Sequence, residues 1–337
     1  MKIQQDVSLK SYNTFGLDVA AAFFTELTDE QQLLPLTTER QWPAEKRVLG
    51  GGSNILLTKP VKGLLVKNSL KGIAVLEEND QHVWLEVKAG EVWHELVLYA
   101  IERNLGGLEN LALIPGCVGA APMQNIGAYG VEVRDTIEEV VAWHWEEQAF
   151  IRLKKEECRF GYRDSIFKQE LKDKVLISSV IFKLNKVPTL NTSYGALQQE
   201  LDKMGVQSPS VKNIADAVIT IRSSKLPDPK HIGNAGSFFK NPAIAPELFE
   251  RLKAHYPEIP SFPVSETSVK VPAGWLIEQA GWKGYREGDA GVHPKQALVL
   301  VNYGKATGLD VYRLSEKILN SILDKFGITL EREVNIW

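Results

Sequence analysis

A mixed α/β chain (α+β class) of more than one domain is what the sequence predicts, and three observations predict it. Its 337 residues exceed the roughly 250 to 300 at which a single core stops growing. Apolar, β-branched runs bounded by turn residues alternate with segments whose apolar positions recur every three or four residues, so strands and helices interleave. The Pro-rich stretch Leu226-Pro227-Asp228-Pro229 marks a boundary late in the chain, because proline cannot continue a helix.

In chain order, Arg47 to Leu57 reads as a short apolar strand, the triple-glycine turn Gly50-Gly51-Gly52, and a second apolar strand. Residues 63–66 and 83–87 then read as strands. From Glu91 to Asn104 the period changes: Val92, Leu96, Val97, Ala100 and Ile101 share one helical face ahead of a stop at Gly106-Gly107. Strands are expected again over 136–145 and 175–184. Ser210 caps a helix carrying Val211, Ile214, Ala215, Val218 and Arg222, which ends by Lys225-Leu226-Pro227. Beyond the break, a short helix runs from Pro272 through Ala280. An amphipathic helix on Val311, Leu314, Ile318, Ile322 and Phe326 stops at Gly327. No internal repeat or low-complexity tract is present.

Composition narrows the function. A net charge of −3 gives no basic field, so nucleic acid and anionic membranes are not expected partners and any anion must be met locally. Cys117 and Cys158 are the two cysteines, too few and too poorly spaced for a disulfide scaffold or a structural zinc site. Residues 1–7 lack a signal-peptide core, and no apolar run approaches the roughly 18 residues of a membrane span. A cytoplasmic, metal-free protein is expected. Asn191-Thr192-Ser193 matches a glycosylation acceptor but means nothing without a secretory context.

Three motifs carry chemistry. Gly50-Gly51-Gly52-Ser53-Asn54 offers successive backbone N–H groups without side-chain hindrance, the makings of an anion nest suited to a diphosphate. Its spacing fits neither Gly-x-Gly-x-x-Gly nor a Walker loop; a plain hairpin turn is the alternative. Residues 114–130 form a long, almost uncharged loop whose small residues let a flat ligand lie against main chain, with Gln124 and Asn125 able to bond ring edges. The alternative is a tightly packed buried loop with Cys117 as a small hydrophobe. In Gly233-Asn234-Ala235-Gly236-Ser237-Phe238-Phe239-Lys240-Asn241-Pro242, glycine permits close approach to a ligand and two phenylalanines can pin the segment into a core. Ser237 is thereby held and reachable, unless the serine merely bonds its own turn.

These motifs, with Gly161-Tyr162-Arg163-Asp164-Ser165, Arg222 to Pro229 and Leu330-Glu331-Arg332-Glu333-Val334, resemble the UDP-N-acetylenolpyruvoylglucosamine reductase (MurB) family of peptidoglycan synthesis over nearly the whole chain. The resemblance implies FAD held non-covalently between two subdomains of the p-cresol methylhydroxylase (PCMH) type, residues 1–65 and 66–225. A substrate-binding α+β domain, residues 226–337, would close over the sugar nucleotide. It further implies a two-step cycle in which NADPH reduces the flavin and the enolpyruvyl sugar nucleotide then takes the same pocket.

By position, Gly50, Gly51, Gly52, Ser53 and Asn54 would meet the FAD. So would Gly116, Gly119, Ala120, Pro122, Asn125, Gly127, Ala128 and Tyr129, with Arg222 nearby. Arg163 matches the residue beside the substrate carboxylate, which a guanidinium binds bidentately. Glu333 matches an acidic partner that polarises the developing enol, although Arg332 stands where the family pattern has proline, and Glu331 is the alternative register. Ser237 matches the general acid; since a hydroxyl is a poor acid, Lys225 or Lys240 would have to steady its alkoxide. The uridine diphosphate set is Tyr194, Lys225, Asn241, Lys283 and Gln296. Tyr194 resembles the mobile-loop tyrosine of the type I branch. A monomer is expected.

Each residue also has an ordinary reading: an Arg163–Glu333 ion pair, solvated lysines, an exposed loop tyrosine. Two other functions compete. An oxidase of the same fold would tether its flavin to histidine or cysteine, and a flavin-free sugar-nucleotide binding protein would use the glycine loops only as turns.

Overall fold

The computed structural model describes every residue except Met1, Arg40 and Glu266. Two compact units emerge, and they exchange segments: the first comprises the chain through Val7, Ala20–Gly52 and Val61–Ser224, the second Ser8–Val19, Ser53–Pro60 and Lys225–Trp337. The chain leaves the first unit inside the triple-glycine turn and again at the end of the helix that precedes the Pro-rich break.

In the first unit, a four-stranded sheet runs in the order Gln4–Ser8, Ala20–Leu27, Val61–Asn68, Lys46–Leu49. Both Ala20–Leu27 and Lys46–Leu49 lie parallel to Val61–Asn68. That strand is bonded on both sides, so the expected cut after residue 65 passes through it. A five-stranded antiparallel sheet follows, ordered Ala149–Lys154, Ile137–His144, Val175–Asn185, His82–Lys88, Ile73–Glu78. The two sheets are the natural halves of the unit. Leu27, Leu64 and Val66 of one pack in a single cluster with Trp143, Trp145 and Leu176 of the other, and helix α1 (Leu33–Thr38) adds Leu33 and Leu36.

The larger core lies on the five-stranded sheet. Helix α2 (Trp93–Glu102) buries Trp93, Leu96, Val97 and Ala100 there. The predicted helix is therefore present but begins two residues later, with Val92 extended and 44% exposed; the buried anchor that periodicity overlooked is Trp93. Its ring lies 6.0 Å from Phe182 and its indole N–H donates to Leu111 O at 2.9 Å. After α3 (Gly195–Lys203) comes α4 (Val211–Lys225), started by Ser210 as expected: its hydroxyl accepts from Asn213 N at 3.2 Å.

The second unit holds a four-stranded antiparallel sheet, ordered Gly233–Ser237, Val299–Asn302, Ala290–Val292, Arg286–Glu287. Helices α5 (Pro246–His255), α6 (Ala273–Gln279) and α7 (Gly308–Phe326) accompany it. The last has a capping box between Thr307 and Asp310 and ends at Gly327, φ +67°. At Gly308 a Cβ would fall 1.8 Å from Leu57 O, so only glycine lets α7 begin against residues 53–60. The C-terminal Asn335–Ile336 pairs in parallel with Ile55–Leu56.

Trp93→Ala removes an indole that is 1% exposed and strands the Leu111 carbonyl. We expect it to destabilise the first unit by about 3–5 kcal/mol, read as a lower urea midpoint with little change in slope.

Candidate active site

Two glycine loops of the first unit meet main chain to main chain. A Cβ on Gly51 would lie 2.9 Å from Gly116 Cα, and one on Gly119 would lie 2.6 Å from Ala89 Cβ. Gly52 and Gly116 adopt φ +63° and +116°, conformations that L side chains rarely enter. The sequence-predicted cradle is thus assembled from Gly50–Gly52 and the 116–120 turn, with Ala120 Cβ 3.9 Å from the Cβ position of Gly50. Ser53 and Asn54 continue into the second unit.

The long loop folds back through turns at Val118–Ala120 and Pro122–Gln124, then makes a small hairpin, Gly127–Ala128 against Val131–Glu132. Its two corner residues, Tyr129 and Gly130, have φ +49° and +81°, the positive pair of a type I′ turn. A tyrosine in that region is unusual, and its surroundings hold it. The Tyr129 phenol and the Arg222 guanidinium of α4 lie close enough to shift each other's pKa, the Tyr129 ring meets Tyr194 edge to face at 5.3 Å, and the Tyr129 carbonyl accepts from Asn110 Nδ2 at 3.0 Å.

Arg222 carries the clearest vacancy in the hydrogen bonding. Its Nε is buried with no partner, and burial presses its pKa down while Tyr129 opposes. A guanidinium keeps its charge regardless, so an orphaned N–H here calls for an acceptor. His94 lies near enough that Arg222, after burial, lowers its pKa. Its Nδ1 accepts from Leu113 N at 3.1 Å, which fixes the neutral tautomer. The same burial pushes the Tyr129 phenol up.

Arg163 and Asn125 differ from expectation in instructive ways. Asn125 is fully buried and its amide is satisfied internally: Nδ2 donates to Glu132 Oε2 at 3.0 Å and Gly161 O at 2.9 Å, and Oδ1 accepts from Arg134 N at 3.1 Å. Its side chain therefore shapes the loop, and the expected bond from that amide to a ring edge is corrected to a scaffold role. Arg163, itself at φ +53°, donates from Nη2 to Gly127 O at 2.7 Å and from Nη1 to Asn125 O at 3.4 Å. The cation is thereby docked on the very loop expected to hold the flavin.

In the second unit, Phe238 and Phe239 are 0% and 1% exposed while Ser237 between them and Gly236 is exposed. The strand's register shifts between Asn234 and Ser237, and Gly236 has φ +70°. Residues 331–333 run antiparallel to this anchor: Lys240 N donates to Glu331 O, and Glu333 N to Phe238 O, both at 2.9 Å. Glu331 is 72% exposed at its side chain and paired with Lys240 at 3.0 Å. Glu333 is partly buried and its carbonyl accepts from Asn54 Nδ2 at 3.4 Å. Arg332, in place of proline, bonds Ser315 Oγ at 2.9 Å and Glu316, and lies over Tyr312.

Two of the predicted nucleotide residues gather at the start of α6. Asn241 Oδ1 accepts from Ala273 N at 2.9 Å, and Gln296 Oε1 lies 3.3 Å from the Cβ position of Gly274. Lys283 pairs with Glu278 at 2.8 Å; Lys225 is exposed at the end of α4, and Tyr194 is 42% exposed. Among the described residues no group of acidic, histidine or cysteine side chains could hold a metal, and no helix is long and apolar enough to cross a membrane. Burial raises the thiol pKa of Cys117, and that of Cys158 to about 12. Neither is a nucleophile for tethering a flavin. The glycine contact and the orphaned Arg222 Nε fit a dinucleotide-type cofactor.

Comparison with known proteins agrees with both halves. Residues 25–144 match a family model described as an FAD binding domain. Residues 228–337 match one described as the C-terminal domain of UDP-N-acetylenolpyruvoylglucosamine reductase. A protein of that name from Flavobacterium johnsoniae is 50% identical over 337 residues, covering 100% of both chains. Another, from Chromobacterium violaceum, is 48% identical over 99% of this chain and 98% of its own. A crystal structure of the reductase from Thermus caldophilus superposes with TM-score 0.71 at 26% identity, covering 100% of this chain and 99% of that one.

The segment 105–113, in which the sequence shows only the helix stop at Gly106-Gly107, braces the neighbouring loop and helix through Asn110, which donates to Tyr129 O, and Leu113, which donates to His94. Its neighbour Glu109 is 3% exposed; burial raises its carboxyl pKa while N–H groups of the loop, Gly107 at 2.6 Å among them, oppose this. A raised folded pKa favours the neutral form, so its contribution is complete below the usual carboxylate range and is lost as pH rises through the folded value. Glu109→Gln keeps an acceptor for Gly107 and removes the charge. We expect it to match the parent in acid, to pull ahead in stability as pH rises from the usual carboxylate range to the raised folded value, and to keep a constant lead above it, measured by denaturation at a series of pH values.

Proposed function

The chain belongs to the UDP-N-acetylenolpyruvoylglucosamine reductase family, and on that premise we propose how its residues divide the work. It is an FAD-dependent enzyme that reduces the enolpyruvyl group of UDP-N-acetylglucosamine-enolpyruvate to give UDP-N-acetylmuramate, a peptidoglycan precursor. When bound, non-covalently and with NADPH as its reductant, FAD would supply the hydride for the terminal carbon of the double bond.

The rest falls to the protein. Gly50–Asn54 and the 116–129 loop hold the cofactor, and Arg222 offers it the buried Nε–H. Hydride addition would place negative charge on the adjacent carbon and its carboxylate, and Arg163, held on the Gly127 and Asn125 carbonyls, is the cation we assign to that carboxylate. Ser237 delivers the proton that completes the addition. Of the two lysines expected to steady its alkoxide, Lys240 is engaged by Glu331, which leaves Lys225. Glu333 polarises the developing enol; Glu331, exposed and ion-paired, is a poor candidate to carry a proton. Tyr194, Lys225, Asn241, Lys283 and Gln296 bind the uridine diphosphate, and the Tyr194 loop makes this a type I member. We read the protein as a cytoplasmic monomer; the charge of −3 gives no basic field for nucleic acid or anionic membranes.

What carries the reading in this chain is the main-chain contact of Gly51 with Gly116, together with the buried Arg222 Nε that has no partner. Its test is anaerobic and in two steps. Purified protein should be yellow, release that colour on denaturation, bleach with NADPH and recover with the enolpyruvyl sugar nucleotide. Ser237→Ala should bleach at a near-normal rate and recover about 100-fold or more slowly. Equal slowing of both steps would remove Ser237 from its role; colour retained after denaturation would mark a tethered flavin, and no colour a binding protein.

A further inference from the structure

Asn110 sits on the 3-10 turn Glu109–Leu111 and is 1% exposed. Its amide donates twice, to Tyr129 O at 3.0 Å and to Asn191 O at 2.9 Å. One acceptor belongs to the cofactor loop, the other to the segment that ends in Tyr194. Asn191 returns the contact, with Nδ2 donating to Gly130 O at 3.1 Å. Its Oδ1 accepts from Ser193 N at 3.1 Å and Ser193 Oγ at 2.7 Å, which tightens the turn before Tyr194. A Cβ on Gly130 would approach Asn191 Nδ2 to 3.2 Å, so the two segments are in close register. The aromatic rings of Tyr129 and Tyr194 complete the contact, edge to face.

We infer that Asn110 is a positioning residue: its amide latches the 187–194 segment onto the Tyr129 corner and so sets where Tyr194 stands when the sugar nucleotide binds. An amide with both hydrogens directed at carbonyls can be replaced by nothing else of its size. Aspartate has the shape but would set a carboxylate against two carbonyl oxygens, and alanine leaves both acceptors buried without donors. Asn191 holds the far side of the same latch. Because Tyr129 is a corner residue of the 127–132 hairpin, the latch ties the Tyr194 segment to the register of the cofactor loop. The functional half of this inference rests on the role proposed for Tyr194; the latch itself does not.

The test uses the FAD-loaded enzyme and four variants: Asn110→Ala, Asn110→Asp, Tyr194→Ala, and Asn110→Ala combined with Tyr194→Ala. Hydrogen exchange over 190–194 should quicken by about tenfold or more in both Asn110 variants, the equivalent of losing one to two hydrogen bonds. The KM for the enolpyruvyl substrate should rise about tenfold while the rate of flavin reduction by NADPH and the flavin content stay near those of the parent. The double variant should be no worse for substrate than Tyr194→Ala alone. Unchanged exchange, or an Asn110→Asp enzyme that behaves as the parent, overturns the latch. Faster exchange with unchanged KM, where Tyr194→Ala does raise KM, overturns its role in substrate binding. If Tyr194→Ala leaves KM unchanged, the Tyr194 reading fails instead, and exchange alone decides the latch.

Discussion

Everything in the first unit is arranged around a contact between two stretches of main chain that side chains would prevent. With Gly51 and Gly116 in van der Waals range, the turn after Lys46–Leu49 and the loop after α2 become one surface, although one hangs from the four-stranded sheet and the other from the helix on the five-stranded sheet. Such a contact gains little from apolar burial. It is sustained by the cores on either side: Leu49 below one loop, Trp93 and Val118 below the other. That division of labour lets a surface made of backbone, which a phosphate or a flat ring can approach, remain fixed without large side chains of its own.

Around that surface the polar groups are used in two ways. Asn125 and Asn110 are buried amides whose donors are all taken up within the protein, by the Glu132 carboxylate and three backbone carbonyls, and they set loop shape. Arg163 and Arg222 are cations held by the scaffold. Arg163 rests on the carbonyls of Gly127 and Asn125, and Arg222 lies close enough to Tyr129 for each to shift the other's pKa. A guanidinium has five N–H groups in a rigid plane, so a few bonds to scaffold fix its orientation. Lysine would not serve, because one ammonium on a flexible stem is aimed by whatever pairs with it, as Lys240 is by Glu331 and Lys283 by Glu278. A chain with a slight negative charge can in this way present cations at chosen points.

Much of this was legible in the sequence, and the physical reason differs by element. The helix on Val311, Leu314, Ile318, Ile322 and Phe326 shows because one face is buried and the other is not, and its capping box and Gly327 mark its ends. The strand Val175–Asn185 shows as two apolar runs either side of Ser178-Ser179, because most of its residues on both faces are covered. The Gly50–Asn54 and 114–130 loops stand out because their composition suits neither strand nor helix. What stayed hidden is what depends on tertiary neighbours. Strand Gln4–Ser8 is mostly exposed and polar, and exists because Ala20–Leu27 offers it an edge. Asn125 reads as a ligand contact until Glu132, Arg134 and Gly161 are seen to use its amide. Glu109-Asn110 sits between leucines with no periodic signal at all; two polar residues inside an apolar stretch after a glycine pair are the trace they leave.

The second unit solves a different problem, how to expose a small hydroxyl without letting it wander. Phe238 and Phe239 are driven into the core and meet edge to face at 5.3 Å, Gly236 takes the left-handed conformation that the preceding bulge needs, and Ser237 is left between them with little torsional freedom in its backbone. The same anchor selects between the two glutamates near the C-terminus. Antiparallel pairing sets Glu333 opposite Phe238 and Glu331 opposite Lys240. The lysine draws Glu331 toward solvent, while Arg332, reaching away to Ser315 and Glu316, holds the strand from its other side. Proline at 332 would fix that backbone through its ring; here a side chain does so through an ion pair and a ring contact. The backbone pairing of residues 331–333 with 238–240 is therefore held with arginine at 332.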